Sequence, residues 1–412
     1  MRRAYKFRLY PKKETEQKLY WTLSRCRELY NAALSERRDA YRYAQKSISY
    51  YDQQNDLPEI KREIREEYQD IAAHVLQDVL RRLDRAFQAF FRRCKNGQVP
   101  GFPRFQGRNR YDSFTYPDGA GWKFDGKYLH LTKIGSMKVK RHREIQGKIK
   151  TVTIKREVDQ WYVIFSCEVP EPEKLPVSYE DLKCITPGIA QASLVANARR
   201  DVGIDLGVTH LATLSTGEMI EHPRYYRKAK KVLERRQQAL SRKKRGSHRR
   251  EEARRLVAKA HRKIRNQRKD FLHKESKKLV QRYQVMVFED ITTGNLTRRP
   301  KPKQDENGKY LPNGASAKGG LNTSIVDAGW GTFVQLCTSK AEEAGRTLIK
   351  VSPSFTSQIC SNCGAVRKKD LSERWHSCNC GAELDRDVNA AINILERGRR
   401  QQRAISVEAS CL

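Results

Sequence analysis

"DVGIDLGVTHLATLSTGEMIEH", residues 201–222, alternates short apolar runs with turn residues. This pattern predicts two or three successive strands, with a hairpin turn at residues 215–217. The first strand, within "GIDLGV", ends at Asp205, so a carboxylate lies where a buried strand leaves the sheet. The sequence therefore predicts a sheet that carries an acidic side chain at one edge.

Two other acidic residues occupy comparable positions. Glu289 ends the apolar strand "VMVFE", and Asp387 begins a helix whose Ala390 and Ala391 permit close packing. The ends of neighbouring strands and a helix N-terminus can meet at one point. Three carboxylates there would hold two Mg²⁺ ions that activate water and stabilise the leaving oxygen of a phosphodiester. Together they predict RNase H-like nuclease chemistry, whereas singly they also fit a turn residue, a strand-end charge and a helix cap.

The charge of the chain predicts a polyanionic partner. Lysine and arginine number 83 against 48 acidic residues, a net charge of +35. Residues 224–269 alone hold 21 basic and 3 acidic residues, which is more one-sided than a solvated helix usually is. We expect a helical hairpin that turns near Gly246, has one docked face and binds phosphates. Its candidate nucleic-acid contacts are Arg242, Lys243, Lys244, Arg245, Arg249 and Arg250.

Four of the ten cysteines are clustered at metal-ligand spacing. Cys360 and Cys363 form a CxxC pair, and Cys378 and Cys380 form a CxC pair 14 residues further on. Four thiolates fill the tetrahedron of a structural Zn²⁺ site, so a closed zinc ribbon is predicted. His376 precedes the second pair, and the short spacer leaves open whether this histidine replaces a thiolate. The other six cysteines are scattered singly, which indicates a reducing compartment.

The N-terminal half predicts a different architecture. "AYKFRLYP" alternates like a strand, and two helical regions follow, with an apolar stripe at Val75, Leu76, Val79, Leu80, Leu83, Phe87 and Phe90. From Gly101 onwards, six short alternating runs predict an antiparallel β-barrel. The helices would thus form a bundle inserted after the first strand.

The remaining segments set the domain organisation. A Pro-rich stretch, "VPEPEKLP", opens an unpatterned linker. Residues 299–320 are rich in Pro, Gly and Lys and predict a mobile loop, followed by a helix from about Ser324. No stretch approaches the roughly 18 apolar residues of a membrane span, and the N-terminus lacks the apolar core of a signal peptide. We therefore expect a protein of the prokaryotic cytosol or nucleoid with no membrane partner.

Several longer motifs resemble one family. "GIDLGVTHLATLSTG", "LSRKKRGS", "SIVDAGWGTF", "VSPSFTSQICSNCG" and "LDRDVNAAINIL" are similar to the RuvC-like half of the transposon-encoded TnpB (OrfB) proteins. "YKFRLYP", "LYNAAL" and "RAFQAFFRRCKNGQVPGFPRF" resemble the other half of that family. The resemblance covers nearly the whole chain except residues 175–198, residues 299–320 and the tail.

The resemblance implies an RNA-guided DNA endonuclease related to type V CRISPR effectors. Its partners would be a guide RNA from the transposon end and double-stranded target DNA, which a single RuvC site cuts beside a short flanking motif. Tyr50 and Gln77 fall near positions that contact this motif, although a core or surface role fits them equally well. Asp387 matches the third metal ligand of the family, which leaves Asp385 a capping or supporting role and Arg386 a phosphate contact.

The expected fold is an α+β multidomain protein, an N-terminal antiparallel β-barrel with an inserted helical bundle, followed by an RNase H-like (RuvC) α/β domain with an inserted zinc ribbon. The expected domains are a barrel (1–12 and 97–172), a helical bundle (13–96), a linker (173–199), a RuvC-like domain (200–357 and 383–400), a zinc ribbon (358–382) and a tail (401–412).

Three alternatives stay open at this stage. The first is a nuclease-inactive, RNA-guided repressor, which would have no need of the acidic trio. The second is a zinc-ribbon DNA-binding protein without guide RNA, which likewise has no use for Asp205, Glu289 and Asp387. The third is a transposase, because RNase H-like chemistry also allows strand transfer.

Overall fold

The computed structural model describes residues 1–108, 110–117, 119–172, 201–370 and 373–410. The chain divides into two compact units, Met1–Glu171 and Pro172–Leu412. The predicted linker at 173–199 lies outside the described residues. Among those that are described, no helix is both long and apolar enough to cross a membrane.

The N-terminal unit contains a seven-stranded antiparallel sheet in the order β2-β6-β7-β1-β5-β4-β3. Its strands are β1 (Arg2–Tyr10), β2 (Ser113–Tyr116), β3 (Trp122–Phe124), β4 (Tyr128–Leu131), β5 (Gly135–Lys140), β6 (Lys148–Glu157) and β7 (Gln160–Glu168). β1 lies inside the sheet between β7 and β5, and its alternate residues Tyr5, Phe7 and Leu9 face the core. All six strands expected after Gly101 are present.

The sheet curls so that its two edges approach each other. The Tyr116 hydroxyl at the end of β2 donates to the Thr132 carbonyl, just beyond β4, over 3.0 Å. Among the described residues, however, β2 and β3 do not pair, and they stand at opposite ends of the strand order. Closure into a barrel therefore stays a prediction.

Three helices pack beside this sheet, α1 (Lys13–Ala44), α2 (Tyr50–Asn55) and α3 (Ala73–Lys95), with short helical turns at Leu57–Glu59, Ile60–Ile64 and Glu66–Asp70. The first five residues of the predicted α3 stripe, from Val75 to Leu83, are buried. Phe87 and Phe90 are only partly buried, and Phe87 continues the stripe by packing against the edge of the core. Both rings also pack edge-on against Phe102.

The C-terminal unit contains a five-stranded sheet in the order β10-β9-β8-β11-β14. Its strands are β8 (Asp201–Asp205), β9 (His210–Leu214), β10 (Met219–Glu221), β11 (Val285–Glu289) and β14 (Thr347–Val351). β8, β11 and β14 run parallel, and β9 and β10 form the predicted hairpin.

The last helix, α8 (Arg386–Ser410), packs directly on this sheet. A Cβ atom on Gly203 would lie 2.0 Å from the Ala391 carbonyl oxygen, so only glycine fits at this point of β8. Ala390 and Ala391 are buried, as the sequence predicts. This close contact fixes where the N-terminus of α8 stands relative to the end of β8.

The basic segment forms a helical hairpin, α4 (Tyr225–Ser241) and α5 (His248–Arg282). The turn lies where predicted, with Gly246 at φ 83°. Leu233, Ala260 and Ile264 form the buried contact between the helices. Val232 and Leu256 are exposed, so the docked face is narrower than the apolar positions alone indicate.

Residues 299–320, predicted as a mobile loop, contain short elements of secondary structure, and their mobility stays a prediction. A two-stranded ribbon, β12 (Lys303–Gln304) with β13 (Tyr310–Leu311), lies inside this segment. α6 (Ala315–Ala328) begins before Ser324, and Gly329, at φ 71°, separates it from α7 (Trp330–Glu343). The Asn322 amide donates to the Thr297 carbonyl, a tertiary contact that residue composition cannot predict. The cysteine segment then follows β14 and carries β15 (Trp375–Ser377) and β16 (Glu383–Asp385).

Candidate metal sites and nucleic-acid interface

The structure brings the three predicted carboxylates together. Asp205 is the last residue of β8, Glu289 is the last residue of β11, and Asp387 is the second residue of α8. β8 and β11 are adjacent parallel strands with Ile204 opposite Phe288, so their carboxyl ends meet at the same edge. A Cβ atom on Gly207, just beyond Asp205, would lie 3.9 Å from Asp387 Oδ2. Three elements distant in sequence therefore bring acids to the same edge of the sheet, although among the described residues only the four clustered cysteines, and not these carboxylates, have ligand atoms that all lie within 4.8 Å of one another.

Burial and electrostatic repulsion make it unfavourable for all three carboxylates to be ionised when no cation is bound. Burial raises the pKa of Asp205 well above its ordinary value, and the charges of Glu289 and Asp387 raise it further. Burial also raises the pKa of Glu289 and of Asp387. Among the described residues, no lysine or arginine forms an ion pair with any of the three. The nearby guanidinium groups of Arg374, Arg386 and Arg397 only partly offset this charge, and hard oxygen donors of this kind fit divalent cations such as Mg²⁺.

Two neighbours support the carboxylates. The Thr356 hydroxyl donates to Glu289 Oε1 over 2.5 Å, a hydrogen bond that no sequence pattern predicts. Asp385 Oδ1 accepts from the backbone N–H groups of Asp387 and Val388 at 2.8 and 3.2 Å, so Asp385 caps α8. Arg386 donates to the carbonyls of Asp370 and Glu373. Its guanidinium thus holds the cysteine segment, and its contact with a phosphate stays a prediction.

The four clustered cysteines form a second candidate metal site. All four Sγ atoms lie within 4.8 Å of one another, with Cys360–Cys380 at 3.7 Å and Cys363–Cys378 at 3.6 Å. A tetrahedron with Zn–S bonds of about 2.3 Å has edges of about 3.8 Å, so the spacing fits Zn²⁺. A backbone N–H donated by Ala382 lowers the pKa of Cys380 to about 6, whereas, despite a backbone N–H donated by Ala365, the neighbouring thiols raise the pKa of Cys363 to about 12.

His376 does not belong to this thiol cluster. The imidazole is fully buried, and its Nδ1 contacts the Lys369 ammonium group. Among the described residues, four thiols therefore suffice for a tetrahedral site without the histidine. The two turns that carry the cysteines contain glycines with positive φ, Gly364 and Gly381.

Two asparagines that sequence reasoning missed attach this segment to α8. Asn389 accepts from the Ser361 N–H and donates to the Ile359 carbonyl. Asn393 donates to the carbonyls of Thr356 and Ile359. Both asparagines are buried, and their amides on the otherwise apolar face of "VNAAINIL" were the available signal. The cysteine segment and the acidic edge thus share one helix.

Known proteins resemble this chain over nearly its whole length. The chain is 31% identical to "Putative RNA-guided DNA endonuclease InsQ" of Escherichia coli K12, over 96% of this chain and 92% of that protein. It is 33% identical to "Putative RNA-guided DNA endonuclease" of Streptomyces pristinaespiralis, over 97% and 90%. The chain belongs to the TnpB (OrfB) family. Family models described as "Probable transposase", "Cas12f1-like, TNB domain" and "Helix-turn-helix domain" match residues 166–299, 330–394 and 1–46.

Residues 1–46, matched as a helix-turn-helix domain, form β1 and the single long helix α1. A solved structure titled "Structure of the mini-RNA-guided endonuclease CRISPR-Cas_phi3" overlays 97% of this TnpB-family chain and 92% of its own, at 10% identity and a TM-score of 0.46. That similarity is too low to establish a common fold.

The hairpin tip of this TnpB-family protein presents most of the predicted phosphate contacts to solvent. Arg242, Lys243, Lys244 and Arg245 are exposed, and Arg249 is exposed at the start of α5. Arg250 differs, because its guanidinium donates to the carbonyls of Leu240 and Lys243 at 3.0 and 2.7 Å. Arg250 therefore closes the turn between α4 and α5.

Tyr50 and Gln77 occupy one face of the N-terminal unit. Arg81 lies over the Tyr50 ring, 5.5 Å from its centroid, and Gln77 is one helical turn before Arg81 on α3. Both predicted residues are partly exposed. Their contact with a flanking motif stays a prediction.

Proposed function

We propose that this protein is an RNA-guided, metal-dependent DNA endonuclease with a single RuvC-type site formed by Asp205, Glu289 and Asp387. The observation that carries the proposal is the convergence of these carboxylates at the ends of two parallel strands and at the start of α8. The names of the two relatives at 31% and 33% identity support the reaction class.

Each acidic residue has a defined part in the proposed reaction. Asp205, Glu289 and Asp387 would bind divalent cations, which activate water and stabilise the leaving oxygen of the phosphodiester when bound. Thr356 orients Glu289 through its hydroxyl. Asp385 holds the start of α8, and with it the Asp387 carboxylate.

The cysteine segment would act as a structural zinc ribbon within this enzyme. Cys360, Cys363, Cys378 and Cys380 fill a tetrahedral site and leave no position for substrate. Through Ser361 and Ile359, the ribbon is hydrogen-bonded to Asn389 and Asn393 of α8. Zinc would therefore act at a distance, because it fixes the helix that carries Asp387.

The proposed partners are a guide RNA from the transposon end and double-stranded target DNA. The exposed cations of the hairpin tip would track phosphates, while base pairing with the guide supplies sequence specificity. Tyr50 and Gln77 remain the candidates for contact with a short flanking motif. The domain bounds predicted from the sequence, and the placement in the prokaryotic cytosol, belong to the same proposal.

The test is expression of the protein beside its native flanking DNA, followed by sequencing of the RNA that copurifies. We expect a discrete RNA that ends in a variable segment, and Mg²⁺-dependent cutting of a plasmid that matches it. Guided binding without cutting would support a repressor. Random RNA fragments would support a DNA-binding protein without a guide, and joined strands would support a transposase.

A further inference from the structure

The junction between α6 and α7 contacts both the basic hairpin and the acidic edge. Gly329 lies at φ 71° and turns the chain, so Asp327 at the end of α6 and Trp330 at the start of α7 have different partners. Both side chains are 6% exposed. Neither residue belongs to the predicted trio or to the predicted phosphate contacts.

Asp327 anchors the hairpin. Its two carboxylate oxygens both accept from the Tyr226 backbone N–H, at 3.1 Å each, in the first turn of α4. A carboxylate there satisfies a free donor and interacts favourably with the helix dipole. Arg268 of α5 donates to the adjacent Val326 carbonyl at 2.8 Å and lies 4.0 Å from the Asp327 carboxylate. Both helices of the hairpin are therefore attached at this point.

Trp330 contacts the loop that follows Asp205. Its indole Nε1 donates to the Gly207 carbonyl at 3.1 Å. With Leu206 and Glu289, it also lines a cavity of about 390 Å³ next to the acidic edge. Gly207 is tightly enclosed, since a Cβ atom there would lie 3.1 Å from the His210 carbonyl oxygen and 3.9 Å from Asp387 Oδ2. A shift of the indole would consequently move the backbone between Leu206 and Val208.

We infer that Asp327 and Trp330 are positioning residues that tie the placement of the Asp205 carboxylate to the placement of the basic hairpin. The connection runs from Tyr226 to Asp327, through Ala328 and Gly329 to Trp330, and on to Gly207. It gives the nucleic-acid-binding arm a covalent and hydrogen-bonded link to the site that cuts. The inference rests on the proposed function, because it assigns these residues to the same reaction.

The first test is Trp330→Phe, which keeps a ring and removes the N–H donor. The matched control is Trp122→Phe in the other unit, since the Trp122 Nε1 is buried and has no hydrogen-bond partner among the described residues. We expect Trp330→Phe to lower the cleavage rate at saturating Mg²⁺ and DNA on the order of 10- to 100-fold, because small misplacements of reacting groups have large effects. DNA binding should be unchanged for both variants. A wild-type rate for Trp330→Phe would overturn the inference.

The second test does not require cleavage. The protein is labelled with 5-fluorotryptophan, and the ¹⁹F signal of Trp330 is assigned by replacing Trp21, Trp122, Trp161 and Trp375 one at a time with Phe. Binding of a short non-target duplex, without guide RNA or Mg²⁺, should shift the Trp330 signal. Asp327→Asn should remove this shift at equal DNA saturation, whereas the control Asp78→Asn, which alters a buried aspartate paired with Arg82, should retain it.

The two tests separate the inference from the proposed function. An unmoved Trp330 signal while the duplex is bound would overturn the inference and leave the nuclease proposal intact. A shift that depends on Asp327, in a protein that never cuts guided targets, would uphold the link and refute the nuclease.

Discussion

The acidic edge and the basic hairpin lie in the same unit, but the charged groups of the first are buried and those at the tip of the second are exposed. Asp205, Glu289 and Asp387 come from three distant segments, and burial raises the pKa of each one. The hairpin draws its cations from one continuous segment, and those at its tip are exposed. Buried charges interact strongly because little water screens them, whereas exposed charges are screened and largely interchangeable.

This difference predicts how each region responds to substitution. If the proposed function holds, loss of a single carboxylate removes a metal ligand that no neighbour replaces. Loss of a single exposed cation leaves many others in place, so only combined changes or salt-dependence measurements will reveal its part. The predictions below test this contrast, beginning with the largest expected effect.

Asp387→Ala should reduce Mg²⁺-dependent cleavage by more than about 10³-fold, while binding of RNA and target is retained. The matched variant is Asp385→Ala, two residues away, which removes the cap of α8 at a cost of about 1 kcal/mol and should leave measurable cutting. Single-turnover cleavage assays at equal occupancy distinguish them. The reverse ranking would assign the metals to Asp385.

Cys360→Ser should remove bound zinc, lower the melting temperature and abolish cleavage as a secondary effect. Cys360 is buried within the thiol cluster, and the segment it holds is bonded to α8 through Asn389 and Asn393. Metal analysis should give about one zinc per wild-type chain. The control Cys94→Ser changes an exposed cysteine outside the cluster and should alter neither property. Purified zinc-free protein that still cuts would refute the ribbon assignment.

Neutralising Arg242, Lys243, Lys244 and Arg245 together should weaken duplex binding and flatten its salt dependence. Four lost phosphate contacts correspond to a slope change of about 3.6 in log K against log salt, at about 0.9 per contact. An equal change of net charge elsewhere, at the exposed Arg299, Lys301, Lys303 and Lys309, serves as the control. If both quadruple variants give the same slope, net charge rather than the hairpin tip governs binding.

The sequence predicted those parts of the molecule that depend on local pattern. Alternation placed Asp205 and Glu289 at strand ends, and the small residues Ala390 and Ala391 indicated that a helix would pack closely beside them. Cysteine spacing predicted the thiol cluster for a similar reason, because each pair lies in one tight turn. Assigning Asp387 rather than Asp385 to the metals needed the family resemblance as well.

The parts that the sequence could not predict depend on tertiary partners. The sequence does not distinguish Arg250 from the other arginines of the basic segment. Its role follows only from the fold, which places the Leu240 and Lys243 carbonyls within hydrogen-bond distance of its guanidinium. Asn389 and Asn393 gain a role only when Ile359 lies beside α8. The early start of α6 likewise depends on contacts made outside its own segment, such as that of Asn322 with Thr297.

Asp205→Asn should stabilise the magnesium-free protein at neutral pH. The pKa of Asp205 is raised in the folded state, so ionisation destabilises the fold: the penalty is absent below the ordinary value near 4, grows as pH rises towards the folded pKa and is complete above it. We expect a melting temperature about 2–4 °C higher at pH 7.5 and no difference near pH 4. Asp290→Asn, an exposed neighbour, is the control.

Added Mg²⁺ should reverse this ranking. A cation that binds only the folded state raises the free energy of unfolding, and it does so more strongly the tighter it binds. Asp205→Asn should bind Mg²⁺ more weakly because one of the proposed metal ligands is lost. Thermal unfolding with and without Mg²⁺ measures both effects. A variant that is less stable than wild type in the absence of Mg²⁺ would show that the carboxylates do not repel one another as described.

The smallest expected effects separate two adjacent arginines. Arg249→Gln should lower the salt slope of duplex binding by about 0.9, because an exposed cation contributes at most one phosphate contact. Arg250→Gln should hardly change the slope, since its guanidinium is already bonded to two carbonyls of the turn. It should instead lower the stability of the hairpin by about 1 kcal/mol, as expected for lost hydrogen bonds. Salt titrations and hydrogen exchange of the α4–α5 turn measure the two quantities independently. Equal slope changes in both variants would mean that Arg250 leaves the turn to bind phosphate, and the contrast between exposed and engaged cations would then fail at this position.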